Sequence, residues 1–133
     1  MATIKKFEDV EAWVKARSIS KDVFILSKKG DFAKDFRFRD QINSSSGSIM
    51  DNIAEGFDRG GKAEFVNFLS YSKGSCGELK AQLYRALDRE YINNDSFNDL
   101  YNRTDEVGKM IGGLMTYLNE SELKGQKFKN RVN

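Results

Sequence analysis

The stretch SSSGSIMDNIAEGFDRGG, residues 44–61, decides the fold because it joins a helical repeat to residues that form helices poorly. Ile49 and Ile53 are four positions apart, which places both side chains on one face of a helix. Serines and Gly47 precede them, and a glycine inside a helix costs about 0.8–1.0 kcal/mol relative to alanine. We expect close packing against a neighbouring backbone to offset this cost.

Helical periodicity extends from this stretch along the whole chain, and no segment alternates with the period of a strand. The repeats predict four helices, over residues 8–29, 33–56, 62–91 and 95–120. The most regular repeat is that of the fourth helix: Phe97, Leu100, Thr104, Val107, Ile111, Leu114 and Leu118. Gly30 and Gly56 are expected to end the first two helices, and Asn94 or Asp95 to cap the fourth. The fold class is therefore all-α, and the short links favour an antiparallel up-down-up-down four-helix bundle.

The second and third predicted helices form a hairpin that turns near residues 60 and 61, so residues equidistant from that point should lie level. Gly47 then lies level with Gly74, and Ser46 with Ser75. This geometry predicts a waist of small residues where the two backbones approach closely. The alternative interpretation is a notch that contacts a ligand.

The motif NIAEG, residues 52–56, occupies the corner of this hairpin. Glu55 lies in the last helical turn, where the helix dipole disfavours a carboxylate. Arg59 or Lys62 is therefore expected to neutralise it. We predict that Asn52 and Glu55 fix the geometry of the corner.

A second group of small residues lies on the fourth predicted helix, where Gly108 and Gly112 are four positions apart and Gly113 follows. Three glycines cost this helix roughly 2–3 kcal/mol of intrinsic stability. Packing against another subunit would compensate for that loss, so we expect a subunit interface here.

The chain of 133 residues is expected to form one domain over residues 1–123, followed by a basic, flexible tail. The tail, KGQKFKNRVN, contains four basic residues and no acid: Lys124, Lys127, Lys129 and Arg131. It is interpreted either as a solubilising terminus or as an arm that contacts phosphates. The formal net charge of +2 is too small to indicate nucleic-acid binding by itself. Neither a membrane span nor a signal peptide is evident, so a cytoplasmic protein is expected.

The absence of histidine argues against most enzyme classes, because histidine is the commonest general base at neutral pH. Cys76 is the only cysteine, and we expect a buried, unreactive thiol. The case for a metal site rests on four carboxylates: Asp51, Glu55, Glu64 and Glu78. Carboxylates on bundle helices can hold metal ions, but such sites normally also use histidine. We therefore expect a protein without catalytic activity or cofactor, with a carboxylate metal site as an alternative.

Seven short motifs fall in a characteristic order: QI at 41–42, SI at 48–49, NIAEG at 52–56, EF at 64–65, FL at 68–69, KGS at 73–75 and EL at 78–79. In these motifs the chain resembles the 23S rRNA intervening-sequence proteins, a family of small bacterial four-helix-bundle proteins. The segment FEDVEAWVKA, residues 7–16, is similar to the family's first helix.

This resemblance implies a ring-shaped homo-oligomer, a homopentamer, in a family whose cellular role is not established. Nucleic-acid binding is the role usually proposed, and related bundle proteins assist reverse transcriptases in diversity-generating retroelements. The expected partners are therefore further copies of this chain, RNA or DNA, and a reverse transcriptase or another protein. This chain differs from the family at Asn43, Ser44 and Ser45, where basic residues are common.

Basic residues on or near the second and third helices are the candidates for phosphate contacts: Arg37, Arg39, Arg59, Lys62, Lys73, Lys80, Arg85 and Arg89. Lys34 lies just before them. Tyr71, Tyr84 and Tyr91 are interpreted either as base-stacking residues or as packing beside the core. The alternative function is a protein-interaction or assembly scaffold that does not bind nucleic acid.

Overall fold

The computed structural model describes residues 4–132, with side chains described for residues 4–120. Its elements are a short 3₁₀ turn at Phe7–Asp9 and five helices: α1 Glu11–Ser27, α2 Gly30–Lys34, α3 Phe36–Asp58, α4 Lys62–Asp88 and α5 Asn94–Val132. Residues 4–132 contain no strand, so the all-α prediction is confirmed, and the helices pack as a bundle. No helix in this range combines the length and apolar character that a membrane span requires.

The core consists mainly of apolar residues at helical spacing, together with Phe32 of α2. Its fully buried large side chains come from every helix: Ile19, Val23, Phe32, Phe38, Ile42, Ile49, Ile53, Leu69, Leu79, Leu83, Leu100 and Ile111. Several polar residues are also buried, and in two of them, Ser45 and Thr104, the hydroxyl donates a hydrogen bond to its own preceding turn. Ser45 bonds the Gln41 carbonyl at 3.2 Å, and Thr104 bonds the Leu100 carbonyl at 2.7 Å. These bonds remove the cost of burying an unpaired hydroxyl.

Helices α3 and α4 form the predicted hairpin, and a buried hydrogen bond fixes their register. The Ser72 hydroxyl of α4 donates to the Ile49 carbonyl of α3 at 2.7 Å, so these two residues lie level as expected. The Ser75 hydroxyl also lies 3.1 Å from that of Ser48.

The predicted waist at Gly47 and Gly74 is wrong, because a Cβ atom on either residue would meet nothing within 4 Å. The close approach of α3 and α4 lies instead at Gly56, nearer the turn. A Cβ atom on Gly56 would lie 2.5 Å from Phe68 Cβ and 3.2 Å from Phe65 Cδ1. Gly56 therefore serves close packing inside α3 and does not end the helix.

The turn between α3 and α4 depends on Gly60, whose φ of +84° is accessible to glycine without strain. The prediction that Gly30 ends the first helix is wrong: α1 ends at Ser27 with Lys28 as its C-cap, and Gly30, with a φ of +55°, is the first residue of α2. The predicted cap of the last helix is wrong: the Asn93 side chain, not that of Asn94 or Asp95, accepts a bond of 2.8 Å from Ser96 N–H. Helix α5 also continues beyond the expected end at residue 120.

Helix α2 was not predicted as a separate element. It is only five residues long, and its Phe32 is buried between two other rings. The Phe32 ring stacks on Phe38 at 5.7 Å and on Tyr91 at 5.1 Å between centroids. This aromatic contact joins the end of α4 to the start of α3.

Candidate nucleic-acid interface

Three arginines surround one end of the α3–α4 hairpin and are called here the arginine cluster: Arg37, Arg85 and Arg89. The guanidinium carbons of Arg85 and Arg89 lie 4.7 and 5.1 Å from the centre of the Phe38 ring. Phe38 itself is only 2% exposed, so its ring is a fixed platform. Cation–π contacts of this kind hold a guanidinium in place while its edge stays in water.

Asp35 anchors the arginine cluster by joining three segments of the chain. Its carboxylate accepts the Phe38 N–H at 3.4 Å, the Tyr91 hydroxyl at 2.7 Å and Arg89 Nη1 at 3.1 Å. The hydrogen bond from Tyr91, followed by those from Phe38 and Arg89, lowers the pKa of Asp35 below its ordinary value. The same bond raises the pKa of Tyr91. With one carboxylate against three arginines, the cluster keeps a net positive charge.

Backbone geometry places Tyr91 against Asp35. Glu90 adopts a left-handed conformation with φ of +60°, and the Tyr91 N–H then bonds the Ala86 carbonyl at 2.9 Å. This arrangement ends α4 and turns the Tyr91 ring back onto Phe32. Tyr91 is therefore a packing residue.

A second basic site, called here the lysine groove, lies between α4 and α5 and is lined by Lys73, Lys80 and Lys109. It has a volume of about 380 Å³. Asp105 lies between two of the lysines, with Oδ1 at 2.8 Å from Lys80 Nζ and Oδ2 at 3.1 Å from Lys109 Nζ. The hydrogen bonds from these lysines lower the pKa of Asp105, and the bond to Asp105 raises the pKa of Lys80.

The floor of the lysine groove is made of small residues: Cys76, Gly77, Gly108 and Gly112. A Cβ atom on Gly108 would lie 3.7 Å from Cys76 Cβ, and one on Gly112 would lie 3.5 Å from Lys73 Nζ. Both glycines therefore face α4 of the same chain. Burial raises the pKa of the Cys76 thiol to about 11, so the thiol stays protonated at neutral pH.

The other predicted phosphate contacts lie apart from these two sites. Arg39 donates to the Ala33 carbonyl at 3.1 Å and lies over the Phe36 ring. Arg59 pairs with Glu55 at 2.9 Å, as predicted for the end of α3, and lies over the Phe68 ring. Lys62 is exposed at the first position of α4. The four basic residues of the tail lie outside the described side chains, and their role stays a prediction.

The predicted corner role of Asn52 is wrong. Its amide donates to the carbonyl and the hydroxyl of Ser48 at 2.8 and 2.9 Å, both one turn earlier in α3. It therefore contacts no residue of the α3–α4 turn through these bonds, and only Glu55 of the pair lies at the corner with Arg59.

The carboxylates considered for a metal site do not converge. Asp51, Glu55, Glu64 and Glu78 are all exposed. Among the described side chains, no group of three or more acidic or cysteine residues is placed to hold a metal ion.

Sequence reasoning missed Lys109 and Asp105 as parts of the basic surface. Their spacing of four positions on α5 was a usable signal, because such pairs lie on one helical face. The contact of Asp105 with Lys80 was not predictable in the same way, since these residues are 25 positions apart.

Comparison with known proteins decides the family. The model of the 23S rRNA-intervening sequence protein family matches residues 8–113. The chain belongs to this family. The matched range contains both basic sites, the arginine cluster and the lysine groove. The basic tail lies outside the match.

A solved structure of similar fold is described as a protein with unknown function from the S23 ribosomal protein family of Bacteroides thetaiotaomicron VPI-5482. It is 22% identical, with a TM-score of 0.73, and the match covers 79% of this chain and 95% of that one. At this identity the likeness supports the fold alone. No curated protein matches the chain.

Proposed function

We propose that this 23S rRNA-intervening sequence protein binds RNA or DNA as a homo-oligomer, without catalysis, through the arginine cluster. The observation that carries the proposal is the pair of guanidinium groups held over Phe38, at 4.7 and 5.1 Å, beside the exposed Arg37. Arginine presents a planar fork of donors that matches phosphate oxygens, and a fixed fork loses less entropy on binding.

Self-association would multiply this surface. A single cluster offers few phosphate contacts, whereas affinity for nucleic acid rises with the number of phosphates neutralised. We infer an up-down-up-down bundle that assembles as a ring, a homopentamer, in the cytoplasm. Two features support association: Gly74 and Gly113 are exposed inside helices with open space around them, and Val14, Phe24 and Ile25 of α1 are 51%, 52% and 41% exposed.

The test is binding of labelled single-stranded RNA, duplex RNA and duplex DNA across a salt series, with the mass measured by light scattering in the same buffer. We expect binding that weakens steeply with salt. Replacing Arg85 and Arg89 by glutamine should lower the affinity about tenfold and reduce the salt slope by roughly one for each phosphate that is no longer neutralised.

Two matched variants control this experiment. Lys5→Gln with Lys6→Gln removes the same charge from the exposed segment before α1 and should leave binding within about twofold, because distant exposed charges are screened by salt. Arg85→Lys with Arg89→Lys keeps the charge but removes the planar fork, and an intermediate affinity is expected. An oligomer that binds none of the three nucleic acids at low salt would refute the proposal.

A second candidate function, an assembly scaffold for a reverse transcriptase or another protein, is favoured by the exposed apolar residues of α1. If these residues form the subunit contact, Phe24→Glu should reduce the mass measured by light scattering. If they instead bind another protein, Phe24→Glu should leave the mass unchanged and abolish capture of that partner.

A further inference from the structure

An exposed tyrosine lies between the two basic sites on α4. Tyr84 follows Lys80 of the lysine groove by one helical turn and directly precedes Arg85 of the arginine cluster. Its side chain is 51% exposed although it packs in an aromatic group, 4.9 Å from the Phe97 ring and 5.6 Å from the Tyr101 ring. Tyr84 is thus held by neighbouring rings while about half of its surface faces solvent.

The lysine groove leads directly to this aromatic group. Lys80 Nζ lies 4.9 Å from the centre of the Tyr101 ring, and Tyr101 in turn contacts Tyr84. Lys73 lies seven residues before Lys80, so the cationic lining extends about 10 Å along the helix axis. Gly77, Gly108 and Gly112 carry no side chain and leave the groove open along this path.

We propose that the α4–α5 face binds single-stranded nucleic acid, with phosphates in the lysine groove and a base stacked on the exposed face of Tyr84. This inference rests on the proposed function and adds the class of nucleic acid and its path. A duplex already stacks its bases on one another, so it presents phosphates but no free base face. A single strand presents both, and a cationic groove beside an aromatic ring fits that combination.

Asp105 is compatible with this binding mode. The groove holds three lysines against this one carboxylate, so its net charge stays positive. Lys80 and Lys109 each keep donors that Asp105 does not use, because an ammonium group carries three. Lys80 and Lys109 can therefore still contact phosphates while each is paired with Asp105.

The experiment compares a 12-nucleotide single-stranded RNA with a duplex of the same length, using the full-length wild-type protein and three variants. Tyr84→Leu keeps an apolar side chain against Phe97 but removes the ring, and it should weaken single-strand binding about tenfold while leaving duplex binding within twofold. Tyr84→Phe should restore wild-type affinity. Tyr71→Leu is the matched control, since Tyr71 is 53% exposed on the same helix but outside the groove, and no change is expected.

Each outcome separates this inference from the proposed function. If the wild type binds neither RNA, the proposed function fails, and this inference fails with it. Suppose that the wild type binds RNA, and that Tyr84→Leu either weakens single-strand and duplex binding equally or weakens neither. Only the single-strand inference is then overturned. Thermal unfolding of each variant shows whether it is folded, and a second measurement on the wild type decides the question if Tyr84→Leu is unstable. In that case the wild type must show quenching of a fluorescent base analogue on binding, since a stacked tyrosine ring quenches it, and its absence refutes the stacking.

Discussion

Gly56 of α3 packs directly against Phe68 of α4, so closely that a Cβ atom on Gly56 would lie 2.5 Å from Phe68 Cβ. The Phe68 Cβ atom is fixed to the backbone of α4 and cannot rotate away. An added methyl group must therefore push the two helices apart. We predict that Gly56→Ala lowers the free energy of unfolding by about 1–3 kcal/mol, measured by urea denaturation.

Gly47→Ala is the control for this prediction. A Cβ atom there meets nothing within 4 Å, so only the gain in helix propensity remains. This variant should be more stable than the wild type by up to about 1 kcal/mol. Equal effects of the two substitutions would show that the close approach at Gly56 does not limit packing.

The register of the α3–α4 hairpin depends on the bond from the Ser72 hydroxyl to the Ile49 carbonyl, which is fully buried. Ser72→Ala removes the donor and should lower the free energy of unfolding by about 1 kcal/mol. Ser70→Ala is the comparison, because Ser70 is exposed and bonds only its own helix. A Ser72→Ala destabilisation no larger than that of Ser70→Ala would contradict the role of this bond.

Asp35, which anchors the arginine cluster, makes the free energy of unfolding of the protein dependent on pH. Because hydrogen bonds lower the pKa of Asp35 in the folded state, its stabilising effect is complete above the ordinary aspartate pKa of about 3.9. That effect is lost as the pH falls through the lower folded-state value. Urea denaturation between pH 6 and pH 2 should therefore show a shallower acid loss in Asp35→Asn than in the wild type. Asp88→Asn, at an exposed aspartate, is the control. If Asp35→Asn loses stability in acid as steeply as the wild type, this prediction is rejected.

Asp105 should oppose phosphate binding while stabilising the contact between α4 and α5. Removing its charge leaves Lys80 and Lys109 free to contact phosphates, so Asp105→Asn is expected to bind RNA about fivefold more tightly at low salt. Asp95→Asn removes an exposed charge near the start of α5 and should change affinity less. Weaker binding by Asp105→Asn, in a folded protein, would mean that the groove lysines need Asp105 to be oriented.

Local patterns were sufficient to predict most of the core. Ile49 and Ile53 are buried as expected, and so are Leu100, Val107 and Ile111 of the fourth predicted helix, because the position of a side chain around a helix follows from its spacing in the sequence. The short turn between α3 and α4 also predicted that Ser72 and Ile49, which are equidistant from it, lie side by side. The position of the closest approach between α3 and α4 could not be predicted in this way. Gly47 and Gly56 are the same residue type, and they differ only in the side chains that face them.

The candidate site was less predictable because its members are distant in sequence. Arg85, Arg89 and Tyr91 meet Asp35 and Phe38 only after α3 and α4 have paired over their full length. The left-handed conformation of Glu90 also had no signal, since that residue is not a glycine. Sequence reasoning named most of the cations but could not sort them into two sites.

The sequence by itself determined that the chain forms helices, which face of each helix is apolar, and where the α3–α4 hairpin turns. These properties depend on residues within one or two helical turns of each other, so spacing and turn chemistry specify them. Only the tertiary structure decided that Gly56 meets Phe68 and that Tyr84 of α4 packs against Tyr101 of α5 beside the lysine groove. Those relationships depend on the rotation of each packed helix about its axis, which is set by the whole core and not by any single segment.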